Sequence, residues 1–149
     1  MARILVQEAV FDLAAEHALL SEGRSDIGGI ASFTGLCRAD DGIAALVLEH
    51  YPGMTERALR QIAAEAEARW PLTGCTVIHR VGRIRPGEPI VLVLTASAHR
   101  TAALEACAFL IDWLKTGAPF WKREEFHDGR ERWVEAKASD DAATARWAG

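Results

Sequence analysis

Nothing in the sequence approaches the ~18 uninterrupted apolar residues of a spanning helix, so no membrane segment is expected. The stretch from Met1 to Leu20 is broken by Gln7, Glu8, Asp12 and Glu16, so no signal peptide is expected there. Cysteine is scarce. Cys37, Cys75 and Cys107 are odd in number and widely spaced, with no Cys-x-x-Cys and no Cys/His cluster. That argues against a disulfide framework and a zinc site, and a reducing cytoplasm is the expected setting. No metal or resident cofactor is called for. Charge of one sign is also lacking: 17 Lys+Arg against 21 Asp+Glu give −4, too little to draw the chain to nucleic acid or acidic membrane. Repeats, low-complexity tracts and Pro/Gly/Ser linkers are missing, and no glycine run matches a phosphate loop or a dinucleotide fingerprint.

What is present is ordinary globular material. The 149 residues are 50% hydrophobic and 26% charged, enough for one core, so residues 1–149 are expected to form a single domain. Residues 2–7 read as a strand and 9–20 as a helix. Residues 28–37 and 43–51 read as strands joined by Ala39-Asp40-Asp41-Gly42, which suggests a hairpin. Residues 54–70 form an amphipathic helix with Leu59, Ile62, Ala63, Ala66 and Trp70 on one stripe, ended by Pro71. Strands 75–81 and 89–97 follow, joined by Arg85-Pro86-Gly87-Glu88, and the continuously apolar 90–94 reads as a central strand. Residues 100–116 read as a helix apolar all round and therefore largely buried, capped by Gly117. A last hairpin, 120–126 and 131–137, turns at Asp128-Gly129, and a short helical tendency ends the chain. Strands arriving in hairpins between helices predict an α+β sandwich with mostly antiparallel pairing.

The chemistry concentrates late in the chain. Leu104, Ala108, Ile111 and Lys115 share a helix face, so a lysine ends an apolar stripe. It is either a snorkelling lysine that complements the helix dipole or a lysine in a partly dry cleft suited to proton transfer. Pro119-Phe120-Trp121-Lys122-Arg123 sets two cations beside two aromatics, with Lys122 and Glu124 facing one way and Trp121 and Arg123 the other. That array suits a phosphorylated aromatic ligand or, equally, a charged edge strand. Ser97-Ala98-His99-Arg100 lies at a strand-to-helix junction, which favours anions. Between residues 99 and 123 the cations 100, 115, 122 and 123 outnumber Glu105 and Asp112, a local +2 against the global −4. Arg38 opens a Gly/Asp turn. Cys37 reads as structural, Cys75 and Cys107 as core, and His50 and His79 as satisfied structural histidines.

Taken together, certain segments resemble a known family. They are Phe33-Thr34-Gly35-Leu36-Cys37-Arg38, Leu48-Glu49-His50-Tyr51-Pro52-Gly53-Met54-Thr55, Val77-Ile78-His79-Arg80-Val81-Gly82, Ser97-Ala98-His99-Arg100, 114–124 from Leu114 to Glu124, and Arg132-Trp133-Val134-Glu135-Ala136. The series is similar to the large, catalytic subunit of molybdopterin synthase, the MoaE family, from about residue 3 to 147. The resemblance implies an α/β hammerhead fold and a homodimer, each copy binding a small ubiquitin-like sulfur carrier to give a heterotetramer. The carrier's C-terminal Gly-Gly thiocarboxylate would enter a pocket here. The substrate would be cyclic pyranopterin monophosphate, gaining two sulfurs to form the dithiolene of molybdopterin. By position, Lys115 and Lys122 match the catalytic lysines and Arg38, His99 and Arg100 the anion-binding residues, while Arg123 and Glu124 adjoin the second lysine at the substrate. Lys137 stands where a basic residue, often arginine, is expected. Two rivals remain: a non-catalytic scaffold for a ubiquitin-like sulfur carrier, and a phosphate- or nucleotide-binding domain.

Overall fold

The computed structural model describes residues 2–40, 42–134 and 138–148. Its elements in chain order are β1 (Arg3–Gln7), α1 (Leu13–Ser21), β2 (Gly29–Leu36), β3 (Ile43–His50), α2 (Met54–Arg69), β4 (Leu72–Arg80), β5 (Gly82–Ile84), β6 (Pro89–Ser97), α3 (Arg100–Thr116), β7 (Phe120–Phe126), β8 (Glu131–Trp133) and α4 (Ala138–Ala145). Among the described residues two four-stranded sheets form, ordered β1-β4-β6-β2 and β5-β3-β7-β8. Among those strands every pairing is antiparallel except β1 with β4. The architecture is the expected α+β sandwich.

The apolar run in β6 accounts for the first sheet's position. Side chains alternate across a strand, so a run buried on both faces must be apolar throughout. Val91 and Val93 face a core shared with Leu59, Ala63 and Ala66 of α2 and Ala103, Cys107, Phe109 and Leu110 of α3. Leu92 and Leu94 face the opposite side, where Ile78 joins them and Phe11 and Leu20 pack over them. The α2 stripe is buried as its spacing predicts. Gly53 precedes α2 at φ +86°, a conformation that favours glycine, and its N–H donates to the Glu56 carboxylate at 3.0 Å.

Two local expectations give way. The suggested hairpin of 28–37 with 43–51 does not form: β2 pairs with β6, whereas β3 pairs with β5 and β7 in the other sheet. The chain between them crosses from one sheet to the other because the apolar β6 is the partner that buries β2. The helix 100–116, read as mostly apolar all round and largely buried, is buried along one face only. Leu104 is 59% exposed, and burial falls on Ala102, Ala103, Ala106, Cys107, Phe109 and Leu110. The 120–126 hairpin does form, with β7 against β8 and Gly129 at φ +87° in its turn. Lys137, together with residues 135 and 136, lies outside the described residues.

A second small cluster joins the two sheets. Cys37, Leu48 and Ile84 are buried together, with Leu46, Ile90 and Phe120 packed against them. That seam sets the face of β7 carrying Phe120 and Lys122 against the end of β4.

Candidate active site

Helix α3 lies along β2 and carries cationic residues at both ends. At its start, a Cβ added to Gly29 would stand 3.6 Å from the Arg100 Cα, so the head of β2 abuts His99 and Arg100. At its finish, Lys115 meets the tail of β2 at Gly35 and Leu36. With a rise of about 1.5 Å per residue, Arg100 and Lys115 stand roughly 22 Å apart. Within one copy of the chain the expected residues therefore form two groups: Arg38, Lys115 and Lys122 at one end of β2, with Arg123 and Glu124 following Lys122 on β7, and His99 with Arg100 at the other end. His99 and Arg100 are both exposed.

Lys115 and Lys122 line one narrow cleft of about 50 Å³, with Phe33, Gly35, Leu36, His79, Ile90 and Leu114 among its walls. Lys115 reaches it from the last turn of α3, where its ammonium also complements the helix C-terminus. It is exposed rather than sunk among apolar neighbours. Gly117 ends the helix with its N–H on the Trp113 carbonyl at 2.7 Å. Glycine is required there for room, since a Cβ would sit 2.5 Å from Trp113 Nε1. Lys122 comes from β7, opposite Leu48 of β3. Gly35 keeps the cleft open, because a Cβ there would lie 2.8 Å from Val91 Cγ1 and 3.3 Å from Phe33 Cε1.

The β7 array separates into two faces, as alternation requires. Phe120, Lys122 and Glu124 face the seam. Trp121 turns away and packs edge-on against Tyr51 with ring centroids 4.7 Å apart. Arg123 faces that same way and is held by Glu131 at 2.7 Å and Glu125 at 3.7 Å. Glu124 is held by Arg132 at 2.7 Å. Arg38 is well exposed at the end of β2 and pairs with Asp40 at 2.9 Å.

The residue that sequence reasoning passed over is His79. It is 4% exposed, stacks on Phe120 at 3.9 Å with the rings 20° apart, and lines the cleft with both lysines. Its Nδ1 lies 2.8 Å from the Arg80 carbonyl oxygen. A carbonyl only accepts, so Nδ1 carries the proton and Nε2 is the acceptor nitrogen. Burial, reinforced by Lys122, Lys115 and His50, holds its pKa down to about 4 against the pull of the Arg80 carbonyl. The signal lay in the Val77–Gly82 segment, but a histidine inside a strand does not announce itself. Burial also raises the Cys37 thiol, consistent with a structural role. Among the described residues no group of three His, Cys, Asp or Glu could hold a metal ion.

The family model described as MoaE protein matches residues 6–117. The molybdopterin synthase catalytic subunit of Mesorhizobium japonicum is 59% identical over 146 residues, 97% of this chain and 92% of that relative. The solved molybdopterin biosynthesis MoaE protein from Burkholderia ambifaria is similar at TM-score 0.86 and 52% identity, covering 100% of this chain and 99% of that one. A protein–protein complex of subunits 1 and 2 of molybdopterin-converting factor from Helicobacter pylori shares the fold at TM-score 0.70 and 20% identity, over 91% of this chain and 90% of that one.

Proposed function

This chain belongs to the MoaE family and works as the catalytic subunit of a molybdopterin synthase, a sulfur-transferring enzyme of molybdenum cofactor biosynthesis; we propose that Lys115 and Lys122 carry that chemistry in the cleft at the tail of β2. The observation that carries the reading is the convergence of two lysines, from α3 and β7, on one narrow glycine-walled cleft. A side-chain-free Gly-Gly tail is the kind of peptide end such a cleft admits. A partner subunit, small and ubiquitin-like, brings sulfur as the thiocarboxylate of that tail, so no thiol of this chain takes part. The buried, unpaired Cys37, Cys75 and Cys107 support this and suit a reducing cytoplasm.

The roles follow from charge. As the sulfur of the thiocarboxylate attacks the pterin side chain, negative charge shifts from the tail toward the substrate. Lys115 at the cleft mouth stabilises the tail and moves protons, and Lys122 stabilises the charge that develops on the pterin. In each transfer the sulfur bonds to a side-chain carbon that gives up an oxygen as water, forming a thioester with the tail; water then cleaves the acyl–sulfur bond, so the carrier departs as a carboxylate and the sulfur stays on the pterin, and two such exchanges convert cyclic pyranopterin monophosphate to the dithiolene. Arg123 and Glu124, held by Glu131 and Arg132, fix the strand that presents Lys122 beside the substrate.

The phosphate grip is supplied by Arg38 together with His99 and Arg100 of a second copy. The outer edge of β2 is open in its sheet. Two copies related by a two-fold axis beside that edge lie antiparallel, setting the Gly29 end of one against the Leu36 end of the other. His99 and Arg100 of one copy then meet Lys115 and Lys122 of its partner, which supports a homodimer with shared sites. The test is reconstitution with a thiocarboxylated carrier and cyclic pyranopterin monophosphate. Wild type yields dithiolene pterin, whereas Lys115→Ala binds carrier and yields little. Equal yields from both proteins would favour the scaffold reading.

A further inference from the structure

Helix α3 is held by burial along most of its length, but not at the end that serves the cleft. Its buried residues stop at Leu110, and from Ile111 to Thr116 every side chain is half-buried or exposed. Lys115 stands in that last stretch. A helix end without burial opens readily, because its last carbonyls lack helical partners and little apolar surface opposes the opening. Here the C-terminal segment supplies what burial does not. The Thr144 hydroxyl donates to the Asp112 carbonyl at 2.8 Å and, its own proton so committed, accepts from the Thr116 hydroxyl at 2.8 Å. The Asp112 carboxylate takes Trp147 Nε1 at 2.6 Å and the Arg146 guanidinium at 3.0 Å. Trp147 is itself seated edge-on against Trp70 and Phe109.

The same segment also holds the strand of the other lysine. The Val134 N–H donates to the carbonyl of Lys122 at 2.9 Å, so the segment touches β7 at one lysine and α3 one residue from the other. The faces of α3 divide accordingly. Ile111, Leu114 and Lys115 line the cleft, whereas Asp112 and Thr116, four apart, turn to α4. The direct link from α3 to β7 is residues 117–119 alone. We infer that the C-terminal segment, anchored at Val134 on one side and at Thr144 and Trp147 on the other, is a brace behind the cleft. It is a second connection that fixes the station of Lys115 relative to Lys122, with Asp112 and Thr144 as positioning residues for the reaction. This rests on the assignment of both lysines to the chemistry.

Amide hydrogen exchange read by mass spectrometry tests the brace without turnover. Thr144→Val removes the hydroxyl at nearly constant volume, and Thr144→Ser returns it. One hydrogen bond is worth about tenfold in local opening. Thr144→Val should therefore exchange about tenfold faster over 113–117 while 102–110 stay as protected as in wild type, and Thr144→Ser should restore slow exchange. Trp147→Phe keeps a ring in the Trp70–Phe109 seat but loses the donor to Asp112. It should loosen the same stretch, and it replaces Thr144→Val as the test if that variant does not fold. In the reconstituted reaction kcat should fall about tenfold, since a small misplacement of a catalytic group costs that much or more. KM for the pterin phosphate and carrier affinity should change little. Exchange over 113–117 unmoved in both variants overturns the inference, as does exchange that is faster throughout 102–117. Faster exchange at 113–117 with kcat unchanged also overturns it. If exchange responds as stated while wild type makes no dithiolene, the sulfur-transfer reading fails and the brace stands. If wild type turns over and exchange is unmoved, the brace fails alone.

Discussion

Acid should weaken this fold through one histidine, and the size of the effect can be worked out. His79 has its proton affinity lowered from 6.5 to about 4 by burial and by three cationic or titratable neighbours. Between those two pH values the unfolded chain binds a proton at this position and the folded chain does not. Stability therefore rises with pH across the window and is lost as pH falls through it. At about 1.4 kcal/mol for each pH unit of the gap, the loss comes to about 3 kcal/mol, nearly all of it by pH ~4. Asp26 and Asp128, whose carboxyls are lowered by their arginine neighbours, also lose stability in acid, at still lower pH. Comparison with His79→Gln separates the contributions, since glutamine does not titrate and the aspartates are common to both proteins. Urea unfolding is measured from neutral pH to about 4. The stability difference between wild type and variant should shrink by about 3 kcal/mol as pH falls. Curves that run parallel across the window would refute the reasoning, because they would mean that His79 is as easily protonated folded as unfolded.

Other predictions concern the frame around the site. A Cβ at Gly28 would sit 1.9 Å from the Ala98 carbonyl oxygen, so Gly28→Ala must displace backbone at the His99–Arg100 junction. A loss of several °C in thermal midpoint is expected, with KM for the pterin phosphate rising more than carrier affinity falls. Trp147 packs against Trp70 and Phe109 and donates to Asp112 at 2.6 Å. Trp147→Ala should cost about 3 kcal/mol in chemical unfolding. Gly35→Ala crowds Val91 and Phe33 at the cleft wall, so binding of a free carrier-tail peptide, read by calorimetry, should weaken while the fold survives.

How much of this was legible in the sequence varied with the range of the interaction. The α2 stripe and the β6 run were readable because burial writes a local period of 3.6 or 2 into the chain. The reading of 28–37 with 43–51 as a hairpin failed because the choice of β6 over β3 as the partner of β2 is a non-local competition for apolar surface. The three-residue β5 is too short to leave a pattern. Leu104 misled the reading of α3, since an apolar residue at the right spacing carries no mark of its exposure. At the site, Lys115 stood out as a cation ending a helix stripe, and the Phe120–Arg123 array as alternating faces. His79 could not be found that way, because what distinguishes it is a ring stacked on it from another sheet.

The most direct test of the central claim follows the sulfur itself. A carrier thiocarboxylate labelled with a heavy sulfur isotope is mixed with this protein and cyclic pyranopterin monophosphate, and the masses of pterin and carrier are read after turnover. The account predicts heavy sulfur at both dithiolene positions, carrier recovered as carboxylate, and neither change with Lys115→Ala. Dithiolene without the label, or carrier that keeps its sulfur while bound, would contradict it.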